Sequence, residues 1–162
     1  MQTVNPRFMT VPQSFWNVQP DRFRDLFATN VTGYFLLARA VAPVMVQAGK
    51  GKIINVSVSE STTRRAGFAP YGPSRAATDS LSHIMAADLA GTGVTVNLIA
   101  PGGATATGMV PDDVGEEVRA GLLDPAIIGP PIRWLASANS DGITDCRVLA
   151  TDFAAGIRPT VS

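Results

Sequence analysis

The sequence predicts an α/β domain built on a parallel sheet of about three strands with helices on both faces. Three observations carry this reading. Helical and strand patterns alternate along the chain, the order that parallel sheets require. Two strand candidates, KIINVS and VTVNLIA, are runs rich in β-branched residues, as in strands covered on both faces. The third is size: 162 residues is a one-domain length, enough to bury roughly 68–70% of the unfolded surface without staples.

Residues 1–19 have no period and read as an irregular lead-in. Pro20 and Asp21 suit a first helical turn, where Pro has no N–H to lose and Asp meets the positive dipole end. From there Phe23, Phe27, Asn30, Tyr34, Leu37 and Val41 fall at steps of three and four, predicting one helix face that runs to about Ala48. Gly33 and Pro43 would weaken or bend it, and Gly49 and Gly51 close it. Lys52–Ser57 is a strand and 58–70 a polar loop. Residues 71–90 form a helix with Pro73 in its first turn and an apolar stripe of Ala77, Leu81, Ile84 and Met85. Val94–Ala100 is the second strand, stopped by Pro101-Gly102-Gly103. Residues 104–129 are weakly patterned, with acidic residues at Asp112, Asp113, Glu116 and Glu117, and read as a mobile segment with short helices. A last helix covers Pro131–Ala138 and a last strand Arg147–Thr151.

Composition removes several function classes. Thirteen basic and thirteen acidic residues cancel, and no charge block stands out, so neither nucleic acid nor a membrane is expected as a partner. Charged residues are 16%, against about 25% in a typical soluble chain, leaving little surface to solvate the domain. One cysteine, Cys146, and one histidine, His83, exclude a disulfide scaffold and an in-chain zinc site of His and Cys. The start has no signal-peptide pattern, and the longest uncharged run, Leu89 to Pro111, is broken by glycines and Pro101. A cytoplasmic protein is expected. Neither a P-loop nor a GxSxG elbow occurs.

Candidate chemistry concentrates at a few places. Asn30 interrupts an apolar helix face, and a buried amide must be hydrogen-bonded, to backbone, water or a ligand. Tyr71 and Arg75 lie four apart on one helix, and a cation beside a phenol favours the phenolate, making a usable general acid or base. The bland alternative pairs Arg75 with Asp79. Ser57 and Ser59 lie at the carboxyl end of a parallel strand, the edge where open α/β sheets bind ligands. They could equally be turn residues. Gly102, Gly103, Thr105 and Thr107 follow the next strand at that edge. His83 reads as a surface or interface residue, and Arg64 and Arg65 as a solvated loop.

In order, the stretches FATNVTGYFLLARAVAPVM, GKIINVS, YGPSRAATDSL, GVTVNLIAPGGATATGM and IRWLASANSDGITDCRVLATDF resemble the short-chain dehydrogenase/reductase family over most of the chain from about Phe15. The resemblance implies a partial Rossmann-like sheet within a single truncated domain over 1–162. It also implies NAD- or NADP-dependent hydride transfer to or from a carbonyl/alcohol pair. It assigns to Asn30 the holding of a proton-relay water, to Tyr71 the general acid, and to Arg75 the family's lysine position. That cation lowers the tyrosine pKa and binds the nicotinamide ribose. It sets Pro101 and Gly102 beside the nicotinamide, with Thr105 and Thr107 as hydroxyls nearby, Thr107 matching with one inserted residue.

Four departures accompany the match. The family's TGxxxGxG turn has no counterpart in these 162 residues. Val58 stands thirteen residues before Tyr71, where the family has its catalytic Ser, flanked by Ser57 and Ser59. Arg75 replaces Lys, and a guanidinium does not readily release a proton. Thr144-Asp145 stands for a Thr-Gly pair. The reading is therefore an oxidoreductase of this family or, alternatively, a catalytically impaired derivative acting as an assembly or binding module. Met109, Val110, Leu122, Leu123, Ile127 and Ile128 suggest an apolar substrate. A homo-oligomer through helices 20–48 and 71–90 is expected, with Ala76, Ser80, His83 and Ala87 allowing close helix contact.

Overall fold

A computed structural model describes residues 11–159; most of the lead-in, 1–10, lies outside them. Three strands, β1 (Gly51–Val56), β2 (Val94–Ala100) and β3 (Arg147–Leu149), form a parallel sheet in that spatial order. Gly51 stands opposite Val94 and Val56 opposite Ile99, while Leu98 stands opposite Arg147. The central strand is sealed: Val96, Leu98, Ile99 and Ala100 are at most 1% exposed. Such burial on both faces suits its mostly apolar sequence, and the buried Asn97 donates to the Ile143 carbonyl (2.8 Å).

The helices are α1 (Pro20–Phe27), α2 (Gly33–Ala48), α3 (Glu60–Thr63), α4 (Tyr71–Asp88), α5 (Glu116–Ala120), α6 (Gly129–Ala136) and α7 (Ala150–Ala154). On one face of the sheet, Ala38 of α2 and Ala86 of α4 close over Ile53, Val94 and Val96. On the other, Leu135 of α6 and Phe153 of α7 close over Ile99 and Val148. Gly93, with φ +81°, leads into β2 so close to the end of α2 that a Cβ there would lie 2.0 Å from the Gly49 carbonyl oxygen. No other residue type fits that crossing without displacing backbone.

Several expectations shift. The first helix does run from Pro20 to Ala48, but a wide π-type turn, Ala28–Thr32, joins α1 to α2. That turn takes more residues than an α-turn, so the inward stripe steps by four through Leu26, Asn30, Tyr34 and Ala38. Phe23 and Leu37, expected on it, are 41% and 68% exposed. On α4 the expected stripe is displaced more radically. Ala77, Leu81 and Met85 are only half-buried and Ile84 is exposed, while Ser74, Arg75, Thr78, Asp79 and Ser82 are buried. Each of these polar groups finds a partner on a neighbouring element, so burial does not require an apolar side chain.

Boundaries also move. The loop 58–70 contains α3, and β1 begins and ends one residue earlier than expected. The helix expected at Pro131 starts at Gly129, because Pro130 and Pro131 fit a first turn that needs no N–H donors. β3 stops at Leu149 rather than Thr151, since the Thr151 N–H turns to the Pro101 carbonyl (3.2 Å) as α7 begins. Within segment 104–129, Arg119 Nη2 donates to the Pro111 carbonyl (2.9 Å) and its Nε to that of Val114 (3.2 Å), bonds internal to the segment.

The charged pairs differ from the simple alternative. Asp79 does not pair with Arg75; its Oδ2 takes Arg147 Nη2 of β3 at 2.5 Å. Arg147 also donates to the Val58 carbonyl (2.7 Å) and to Ser57 Oγ (3.3 Å), joining β3, α4 and the end of β1. Arg64 pairs with Glu60 at 2.6 Å and Arg65 lies 4.7 Å over the Phe68 ring. His83, exposed, meets Asp145 at 2.5 Å.

Removing one partner of the Asp79–Arg147 pair leaves a part-buried charge. We expect Asp79→Ala to lower stability by about 2–3 kcal/mol, moderated by the partial exposure of Arg147. Asp79→Asn should lose less, because its amide oxygen still accepts one hydrogen bond. Urea denaturation of the three proteins checks this, and equal losses for both variants would contradict the hydrogen-bond contribution.

Candidate active site

In a parallel sheet the loops that leave the carboxyl ends of neighbouring strands share one edge, and each helix returns from that edge. The segments after Val56 and Ala100 therefore leave together, and α4 begins there with Tyr71. Asn30, on the π-type turn, is hydrogen-bonded to the first turns of α4.

Asn30 is 2% exposed. Its Nδ2 donates to Ser74 Oγ (3.0 Å), and Ser74 Oγ donates to the Tyr71 carbonyl (2.8 Å). A π-type turn frees a backbone carbonyl, and that of Asn30 accepts Thr78 Oγ1 at 2.8 Å. The residue is thus tied to α4 through side chain and backbone at once.

The two serines part company. Ser57 is 2% exposed, and its hydroxyl donates to Asp79 Oδ1 while accepting from Arg147. Asp79 lies two helical turns, about 12 Å of rise, beyond Tyr71. Strand alternation sends Ile53, Asn55 and Ser57 to the α4 side, and Asn55 Nδ2 meets Ser82 Oγ there at 2.8 Å. Ser59 instead leads into α3, where its hydroxyl shares hydrogen bonds with Thr62 Oγ1 (2.8 Å) and Ser61 Oγ (3.2 Å). α3 packs on the first turn of α4 so tightly that a Cβ at Gly72 would lie 2.8 Å from the Thr63 carbonyl oxygen. Ser59 thus precedes the short helix packed on the start of α4, while Ser57 is bound to Asp79 further along it.

Tyr71 is half-buried, with its ring against Phe68 (6.3 Å between centroids) and the Arg75 guanidinium 5.5 Å from its centroid. Its hydroxyl has no hydrogen-bond partner among the described residues. Arg75 is 8% exposed. Its Nη1 donates to the Val56 carbonyl (3.0 Å) and to Tyr34 Oη (3.2 Å), while its Nε is buried with no acceptor.

The turn after β2 packs against α7. Gly102 has φ +95°, and a Cβ there would lie 2.1 Å from Thr151 Oγ1, so the glycine admits α7. Thr105 Oγ1 donates to the Gly103 carbonyl (3.2 Å), and its backbone bridges to Leu123. Thr107 is exposed and accepts the Met109 N–H at 3.4 Å. Met109, Val110, Leu122, Leu123, Ile127 and Ile128 are half-buried. Burial and the neighbouring Asp145 carboxylate push the Cys146 thiol up, which disfavours a thiolate there.

Tyr34, Ser74, Thr78, Asp79 and Arg147 are the partners that sequence reasoning missed. Tyr34 is four residues after Asn30 and so shares its helix face, a usable signal. Nothing local marks Arg147, which lies 68 residues from Asp79.

Residues 7–117 match the short chain dehydrogenase family model. The 3-oxoacyl-(acyl-carrier-protein) reductase FabG of Vibrio cholerae is 32% identical over 148 residues, covering 87% of this chain and 61% of that protein. Nodulation protein G of Azospirillum brasilense is 31% identical over 150 residues, covering 87% and 60%. Among solved structures, a gluconate 5-dehydrogenase from Burkholderia cenocepacia in complex with NADP and tartrate aligns with a TM-score of 0.77. It is 30% identical, over 86% of this chain and 58% of that one. A short chain dehydrogenase from Mycobacterium paratuberculosis bound to NAD aligns at 0.72 and 26% identity, over 86% and 58%. The chain thus spans about three fifths of the length of these relatives. By its matching residues and its three-stranded parallel core, the chain belongs to the short-chain dehydrogenase family.

Proposed function

We propose that the chain carries the proton-transfer side of an oxidoreductase that moves a hydride between NAD or NADP and a carbonyl/alcohol substrate. The observation that carries this reading is the Tyr71 phenol packed over the buried Arg75 cation at the carboxyl edge of the sheet.

The residues present fit the nicotinamide end of such a cofactor. Arg75 Nε–H is a buried donor with no protein acceptor. Pro101, Gly102, Thr105 and Thr107 line the turn at the same edge, where the resemblance sets the nicotinamide. A bound reduced nicotinamide supplies the hydride to the carbonyl carbon. In that direction Tyr71 Oη gives its proton to the carbonyl oxygen as the C=O bond becomes C–O–H. The Arg75 charge stabilises the phenolate that remains. Asn30, through Ser74, holds the first turn of α4 and so the Tyr71 backbone. Ser59, rather than Ser57, is the hydroxyl we assign to orienting the substrate, because Ser57 is committed to Asp79. The half-buried apolar side chains of 109–128 support an apolar substrate.

A second reading rests on a different observation. Phe35, Leu36, Leu37 and Val44 of α2 and Ile84 of α4 are 45–68% exposed. The helical run Pro20–Ala48 is long and apolar enough by composition to cross a bilayer, yet Asn30 hydrogen-bonds it into the domain. We propose that a second copy covers this surface through helices 20–48 and 71–90. In the alternative function this assembly is the chain's whole role.

Calorimetric titration with NADH and NADPH separates the readings. A Kd near micromolar supports the oxidoreductase, and no binding up to millimolar favours the assembly module. With activity in hand, Tyr71→Phe should lower kcat roughly a hundred- to ten-thousand-fold, the share of a general acid. Ser59→Ala should lower kcat, whereas Ser57→Ala should lower thermal stability and leave kcat of the folded protein nearly unchanged. The reverse pattern would assign the role to Ser57. In light scattering the chain should be a dimer or larger, and Leu37→Glu with Val44→Glu should make it monomeric.

A further inference from the structure

We infer that Tyr34 is a positioning residue: its hydroxyl clamps the Arg75 guanidinium against Tyr71. This inference rests on the reading of Tyr71 as the general acid. Tyr34 Oη accepts from Arg75 Nη1 at 3.2 Å and donates to the Val56 carbonyl at 3.1 Å. The same Nη1 reaches the same carbonyl at 3.0 Å. Three groups from α2, α4 and the last residue of β1 thus close a triangle. The Arg75 guanidinium lies 6.0 Å from the Tyr34 ring centroid and 5.5 Å from that of Tyr71. These are the two tyrosines of the chain.

The chemistry of the cation makes such a clamp necessary. An ammonium is compact and interacts alike from any side, whereas a guanidinium is a flat fork on a long flexible stem, with much rotamer freedom to lose. Its orientation toward Tyr71 depends on where its N–H groups find acceptors. Val56 offers one carbonyl, Nε has none, and Tyr34 provides the second acceptor and fixes that carbonyl as well. Tyr34 also lines the open groove between α2 and β1, which holds about 560 Å³. Without the hydroxyl, water from that groove can compete for Nη1, and the fork can turn from the Tyr71 ring.

Tyr34→Phe removes the hydroxyl and keeps the ring, so helix packing and the ring–cation contact survive. The first readout needs no activity. The Arg75 Nε–H resonance, identified by its loss in Arg75→Lys, should exchange with solvent at least about tenfold faster in Tyr34→Phe, the factor expected from one lost charge-assisted hydrogen bond. Unchanged exchange in a folded variant overturns the clamp. The second readout is reduction of ethyl acetoacetate with whichever of NADH and NADPH binds. Tyr34→Phe should lower kcat about tenfold with KM within twofold. In an Arg75→Lys background the same change should have less than a twofold effect, because no fork remains to be held. A purely structural Tyr34–Val56 bond would cost the same in both backgrounds, and that result overturns the positioning role. A native chain that binds neither dinucleotide defeats the oxidoreductase reading instead, and the exchange measurement then judges the clamp by itself.

Discussion

The buried polar face of α4 is the constraint on which the rest of the structure depends. Ser74 and Thr78 hold Asn30 of the π-type turn, Ser82 holds Asn55 of β1, and Asp79 holds Ser57 and Arg147. Arg75 reaches the last carbonyl of β1. A buried polar group left unpaired loses about 1–3 kcal/mol, so one helix position must satisfy all these partners together. An apolar face would tolerate sliding, because its attraction has no direction. This face does not, and it sets the helix of residues 20–48, the end of β1 and the start of β3 in one register.

In the proposed reading, the same face divides structural from chemical duty along a single helix. Its lower turns, Thr78 to Ser82, serve cohesion, and Ser57 is drawn into that work. Its first two turns leave the Tyr71 hydroxyl and the Arg75 Nε–H without protein partners, on a backbone that Ser74 and Asn30 hold still. A general acid must be both available and placed, and the half-buried Tyr71 hydroxyl on this held backbone meets both conditions in the proposed reading. The replacement of a compact ammonium by a guanidinium changes how the cation must be held, and the Tyr34 phenol answers that change.

The surface reflects the other side of the balance. With 16% charged residues, the chain satisfies its interior polar groups yet leaves large apolar side chains of α2 in water. β1 is an edge strand among the described residues, and the groove beside it is lined by Leu37, Val41 and Met45. Exposed apolar area next to a free strand edge favours association.

The sequence by itself determined the fold class, the three strands and the starts of the long helices. Those features follow from local rules: β-branched runs, Pro20 and Pro73 in first turns, glycines at helix ends. The stretch around Asn30, Tyr71 and Pro101-Gly102 was legible through its resemblance to the family. The inward faces of the helices were not legible. The π-type turn rotated one stripe past Leu37, and hydrogen bonds from distant elements buried the polar side of the other. That Ser57 is held by Asp79, and that Asp79 pairs with Arg147 rather than Arg75, were matters only the tertiary structure decided. Those choices depend on which partner arrives from tens of residues away, and hydrogen bonding at a few ångströms leaves no trace in local periodicity.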